Sequence, residues 1–188
     1  MIGNTVFGND LYSDLCARIG ARLTKDMTVL ELGCGSGQMT LPLCGNTALW
    51  EATDPLEALI EKDRKIPHSD RLRFSTMDPA CLSFEHSVFD AVIAVNALLW
   101  LPQPDMALRE IRRVLRPGGI LFAPAYMLGG RRPKRLARRR IGRSGLCREW
   151  TASEYIDRIA CYGFFVEKAV LLPDRISPLC YLEARNQK

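Results

Sequence analysis

Thr28-Val29-Leu30-Glu31-Leu32-Gly33-Cys34-Gly35-Ser36-Gly37 is the stretch on which the reading of this 188-residue chain turns. Five largely apolar residues read as a buried strand, and three alternating glycines cut that strand off. Glycine at such a place permits a tight turn and lets a ligand approach the backbone closely. Twenty-one residues beyond Gly33, at the end of a second apolar run from Ala48 to Thr53, stands Asp54. A carboxylate so placed suits the two hydroxyls of a ribose.

Outward from this stretch, strand and helix patterns alternate. Leu11, Leu15, Ile19 and Leu23 recur every four residues and predict an N-terminal helix over 9–24. A helix is expected after Gly37, with Pro42 near its start. Another should run from Leu56 to about Lys65, with Pro55 in the first helical position. Further strands are expected at Leu72–Ser75, Phe89–Val95 and Ile120–Ala125, with a helix bearing Leu108, Ile111, Val114 and Leu115 before Pro117-Gly118-Gly119. Thr151 and Glu154 form a capping-box pair, and Gly163 closes the helix they open. Phe164–Leu172 and Leu179–Ala184 complete the pattern as two strands with only a short connection. The expectation is an α/β fold: a doubly wound, mostly parallel seven-stranded sheet with an antiparallel C-terminal strand pair. Residues 1–188 read as one domain.

Composition narrows the class. Hydrophobic residues make up 47% of the chain and charged ones 25%, as in folded globular proteins and unlike disordered tails. The longest apolar runs, Ala91–Leu101 and Gly118–Gly130, fall short of the ~20 residues of a membrane span, and Met1–Val6 has no leader character. Seven cysteines in irregular spacing with no C-x-x-C predict neither a disulfide framework nor a metal site. A cytoplasmic location follows as an expectation.

The spacing of the glycines departs from the dinucleotide pattern G-x-G-x-x-G, because Gly37 is followed by Gln38 and Met39. Instead, the string Val29–Gly37 resembles the class I S-adenosylmethionine-dependent methyltransferases in their small, cap-less form. Asp54, Met77-Asp78-Pro79, Phe89-Asp90-Ala91-Val92-Ile93 and Leu115-Arg116-Pro117-Gly118-Gly119 are similar to further segments of that family. The resemblance covers residues 28 to 125 and implies a Rossmann-like fold, S-adenosylmethionine as cofactor, S-adenosylhomocysteine as product and no metal. It implies that Asp54 with Pro55, and Asp78 with Pro79, hold the adenosine. Glu31 would hold the methionine end through water, with Gly33, Cys34, Gly35, Gly37, Gln38 and Asn96 around it. Asp78 has a competing reading as a local cap, and Asn96 as a turn residue.

Many relatives carry a histidine where this chain has Leu98-Leu99-Trp100-Leu101. The two histidines present, His68 and His86, precede strands three and four and so belong at the edge opposite the ligand. The acceptor is therefore expected either to be nucleophilic already or to be assisted by Tyr12, Tyr126 or Glu149.

Net charge is +5, yet Arg131–Arg143 alone contains eight basic residues and no acidic one, so the remainder carries −3. The segment, within residues 127–150 that with the N-terminal helix should border the acceptor site, has three readings. It is a solvated loop, a site for an anionic acceptor, or a surface for RNA or an anionic membrane. No aromatic residue interleaves the arginines, so nucleic acid is not favoured. The sequence thus predicts methyl transfer to a small, anionic or amphipathic acceptor. The alternatives are an RNA methyltransferase using Arg131–Arg143 and a non-catalytic S-adenosylmethionine-binding module.

Overall fold

A computed structural model describes residues 9–64, 69–127, 148–174 and 177–188. Five parallel strands form the centre: β1 (Thr28–Leu32), β2 (Leu49–Asp54), β3 (Leu72–Thr76), β4 (Phe89–Ile93) and β5 (Leu115–Phe122). The sheet order is β3-β2-β1-β4-β5, then β8 (Leu179–Asn186), with β7 (Phe164–Leu172) beyond β8. β8 is antiparallel to both neighbours. The order reverses between β1 and β4, and that is where a doubly wound sheet opens a crevice beyond its carboxyl ends.

The expected strand Ile120–Ala125 divides in two. β5 stops at Phe122, and the two-residue β6 (Ala125–Tyr126) resumes the pairing with β8. Pro124 lies in the gap and has no N–H to give to a ladder. β5 also begins earlier than expected, at Leu115, directly after α5. Among the described residues the sheet therefore has eight strands, the seven expected and this short continuation.

Helices cover both faces. α1 (Asn9–Gly20) packs Leu15 and Ile19 against Val29, Ile93 and Phe122, where Ile60 of α3 (Glu57–Asp63) also lies. On the other face, α5 (Pro104–Val114) and α6 (Ala152–Cys161) bury Leu108, Ile111, Tyr155 and Ile159 against Leu30, Val92 and Leu121. Between them, α4 (Ala97–Trp100) is a single turn after β4. α1 ends four residues before its expected limit. α6 has the predicted cap: the Thr151 hydroxyl accepts from the Glu154 amide, and the Glu154 carboxylate accepts from the Thr151 amide. Gly163 ends it at φ +82°, with the Arg112 guanidinium where a side chain would start.

Two expected helices differ. After the glycines, α2 spans only Thr40–Leu43, followed by a 3-10 turn, Cys44–Asn46. α3 starts at Glu57, and its N-cap is Leu56, so Pro55 stands outside the helix. The turn before α3 is held instead by the Asp54 carboxylate, which accepts from the Leu56 amide at 2.9 Å.

Candidate cofactor site

The glycine loop leaves β1 at the carboxyl edge, beside the switch in strand order. Gly33, Gly35 and Gly37 all have positive φ, between 60° and 74°. The Gly33 and Cys34 amides donate to the Thr53 carbonyl of β2 at 2.8 and 3.0 Å. At the apex, the Gly35 amide donates to Asp54 Oδ2 at 3.1 Å. A Cβ on Gly35 would meet no atom within 4 Å, so the space over the loop is open, and the absence of a side chain keeps it so. Such a loop, with an acid at its rim, fits the adenosine and methionine parts of an S-adenosyl group.

Asp54 is 5% exposed at the end of β2. Each of its carboxylate oxygens accepts one backbone amide, and each has a further lone pair for a second donor. The Asp54 carbonyl also accepts from the Met77 amide, drawing the 77–79 segment to the same rim. There Asp78 is exposed, and its Oδ1 accepts from the Ala80 amide in a local turn, while Pro79 is buried. Pro55 and Gln38 are exposed at the rim. Cys34 is buried beneath the loop.

Glu31 points into the core below the loop, where its Oε2 accepts from Thr40 Oγ1 at 2.6 Å and Trp50 Nε1 at 2.9 Å. Asn96 caps α4 with a left-handed backbone, φ +56°. Its Oδ1 accepts from the Tyr126 amide at 2.9 Å, and its own amide donates to the Pro124 carbonyl. This side chain ties the end of β4 to β6. The next residue, Ala97, would touch a Cβ on Gly33 at 3.5 Å, so loop, β4 end and β6 are contiguous.

The three residues expected to assist an acceptor have different surroundings, though Tyr12 and Tyr126 pack against the same core cluster. The Tyr126 hydroxyl donates to Asp174 Oδ2 at 3.1 Å, at the edge where the β7–β8 connection returns. Burial, with the charges of Glu31 and Cys16 adding, pushes the Tyr12 phenol far above the ordinary tyrosine value, so it holds its proton. Glu149 is exposed. It follows Arg148, whose amide donates to the Leu99 carbonyl and whose guanidinium donates to Pro102. Asp174 was hidden in sequence because Pro173-Asp174 reads as an ordinary turn, and its one signal is an acid at a strand's carboxyl end. His86 lies at the opposite edge, next to Ser87, whose amide donates to the Arg113 carbonyl. His68 and Arg131–Arg143 lie outside the described residues. Among the described residues, no helix is long and apolar enough to cross a membrane.

Fold and loop together put an open glycine loop and a buried carboxylate at the switch point of a doubly wound sheet. Residues 30–123, half of the chain, match the methyltransferase domain family. The chain is 35% identical over 101 residues to the sterol 4-C-methyltransferase of Caenorhabditis elegans, covering 52% of this chain and 30% of that protein. It is 28% identical over 132 residues to methyltransferase GfsG of Streptomyces halstedii, covering 62% of this chain and 48% of that one. Thus the chain spans half or less of the length of these relatives. The solved structure of the [4+2]-cyclase SpnF superposes with a TM-score of 0.79 at 20% identity, over 92% of this chain and 80% of that one, a likeness of fold alone. The chain belongs to the class I S-adenosylmethionine-dependent methyltransferase family.

Proposed function

We propose that the protein transfers a methyl group from S-adenosylmethionine to a small acceptor of anionic or amphipathic character. The observation that carries this reading is the open glycine loop at the β1 switch point with Asp54 bonded to its apex, in a chain of this family. When bound, S-adenosylmethionine supplies an electrophilic methyl on a sulfonium. Asp54 and Asp78 hold the adenosine side, and the loop with Asn96 borders the methionine side. The fold's work is to align the acceptor with that methyl.

The acceptor would lie beside β6, on the side of α1. For a hydroxyl acceptor giving up its proton as it takes the methyl, the Tyr126 oxygen would accept that proton while the Tyr126 proton passes to Asp174. An amphipathic acceptor agrees with the sterol named for the nematode relative, and an anionic one with the arginines of 131–143.

The test is to incubate the protein with methyl-labelled S-adenosylmethionine and cell extract, and then to separate small molecules, lipid, RNA and protein. Label in the first two fractions supports the reading. Label in RNA alone contradicts it and moves the arginine segment to a nucleic-acid surface.

A further inference from the structure

After the glycine loop the chain packs Met39 and Leu43 into the core, but little regular structure follows to fix the loop's exit. α2 is four residues long and contains Pro42, and so short a helix has no appreciable stability of its own. The entrance of the loop is fixed by the Thr53 carbonyl and its apex by Asp54. At the exit, the Gly37 and Leu41 amides donate only within the loop and its own turn, to Cys34 and Gly37. A bond that reaches the sheet from this end runs from Thr40 Oγ1 to Glu31 Oε2, at 2.6 Å.

That oxygen is itself held. Strand alternation puts Glu31 on the same face of β1 as Val29, and Val29 is the register partner of Trp50 on β2. The indole therefore reaches one step along the sheet and donates Nε1–H to Glu31 Oε2 at 2.9 Å. Trp50 and Thr40 are fully buried and Glu31 is 3% exposed. A charge-assisted bond shielded from water is both short and directional. One carboxylate oxygen thus joins the middle of the sheet to the third residue after Gly37.

We propose that Trp50 and Thr40 are positioning residues for the cofactor, acting through Glu31 to hold the exit of the glycine loop in its binding shape. The inference rests on the reading of this loop as the S-adenosylmethionine site. It adds to that reading a device in the core, outside the loop. A loop freed at its exit spends part of its time in other shapes, and the ligand must then order it, which lowers the apparent affinity by the fraction of loop already in place.

Isothermal titration of the full chain with S-adenosylmethionine and with S-adenosylhomocysteine tests this, alongside thermal melts by circular dichroism. Thr40→Val removes the hydroxyl at nearly constant shape, and Thr40→Ser restores it. The expected result is about a tenfold weaker affinity for both ligands in Thr40→Val and in Trp50→Phe, with Thr40→Ser within about twofold of the native chain. A merely structural role would lower the melting point without separating serine from valine in binding. A folded Thr40→Val that binds as tightly as the native chain overturns the proposal, and so does a serine variant as weak as the valine one. If Thr40→Val does not fold, Trp50→Phe decides on the same affinity criterion. A native chain that binds neither ligand overturns the reading of the loop itself and the proposal with it.

Discussion

Asp54 serves two partners at once, because its oxygens order the loop apex through Gly35 and the start of α3 through Leu56. Asp54→Asn keeps an acceptor oxygen for one of them but loses the charge that favours two ribose hydroxyls. We expect S-adenosylhomocysteine affinity to fall about a hundredfold in calorimetric titration, of the size of one or two lost charge-assisted bonds. At Tyr126 and Asp174 the expected split is different. Tyr126→Phe and Asp174→Asn should leave cofactor affinity within about twofold, while lowering turnover of a hydroxyl acceptor by about a hundredfold or more. Equal turnover in both variants would remove the pair from the chemistry. The cysteines give a third measurement. Burial pushes the Cys180 thiol up to about 11, whereas Cys81 and Cys161 are exposed. Peptide mapping after brief alkylation near pH 8 should find Cys81 and Cys161 modified and Cys180 intact until the protein is unfolded.

Among the elements, α5 and α6 are tied down by identifiable side chains. Glu110 bonds to Arg113 on the same face of α5 and accepts from the Leu82 amide, while Arg113 donates to the Leu82 and Phe84 carbonyls. Its hydrogen bonds from Arg113 hold the Glu110 carboxyl below its ordinary value of 4.5. A depressed folded value means the stabilisation is complete above about pH 4.5 and is lost as the pH falls through the folded value. Glu110→Gln should therefore melt below the native chain at pH 7, and the gap should narrow below about pH 4.5. Thr151→Ala removes the N-cap of α6, a loss of about 1 kcal/mol, and should lower the melting temperature by roughly 2–4 °C.

Such local devices explain which elements were legible. The capping box and β7 lie where the sequence puts them, because local chemistry decides a cap and a β-rich run between Gly163 and Pro173 bounds a strand. The helix expected after Gly37 is only four residues long, with Pro42 inside it, and the chain passes directly into a 3-10 turn at Cys44–Asn46. β8 runs on to Asn186 because that side chain donates to the carbonyls of Arg112, Leu115 and Arg116, a contact across 70 residues and more that no local pattern announces. Glu31 is the same kind of case. The motif marked it, but only the fold shows Trp50 beside it.

For the molecule as a whole, the reversal of strand order between β1 and β4 brings the loop, Asp54, the Met77–Pro79 segment and the Asn96–Tyr126 link to one edge. His86 is left at the other edge, so His86→Ala should leave both cofactor binding and turnover within about twofold of the native protein, a result any steady-state assay checks. The central claim is that this edge binds S-adenosylmethionine and gives up its methyl. The most direct measurement follows S-adenosylhomocysteine by mass spectrometry in cell extract supplied with S-adenosylmethionine and either the native protein or Asp54→Ala. The account predicts that S-adenosylhomocysteine accumulates in step with native protein and stays at background with the variant. Unchanged S-adenosylmethionine beside a native protein that binds it would contradict the claim of transfer.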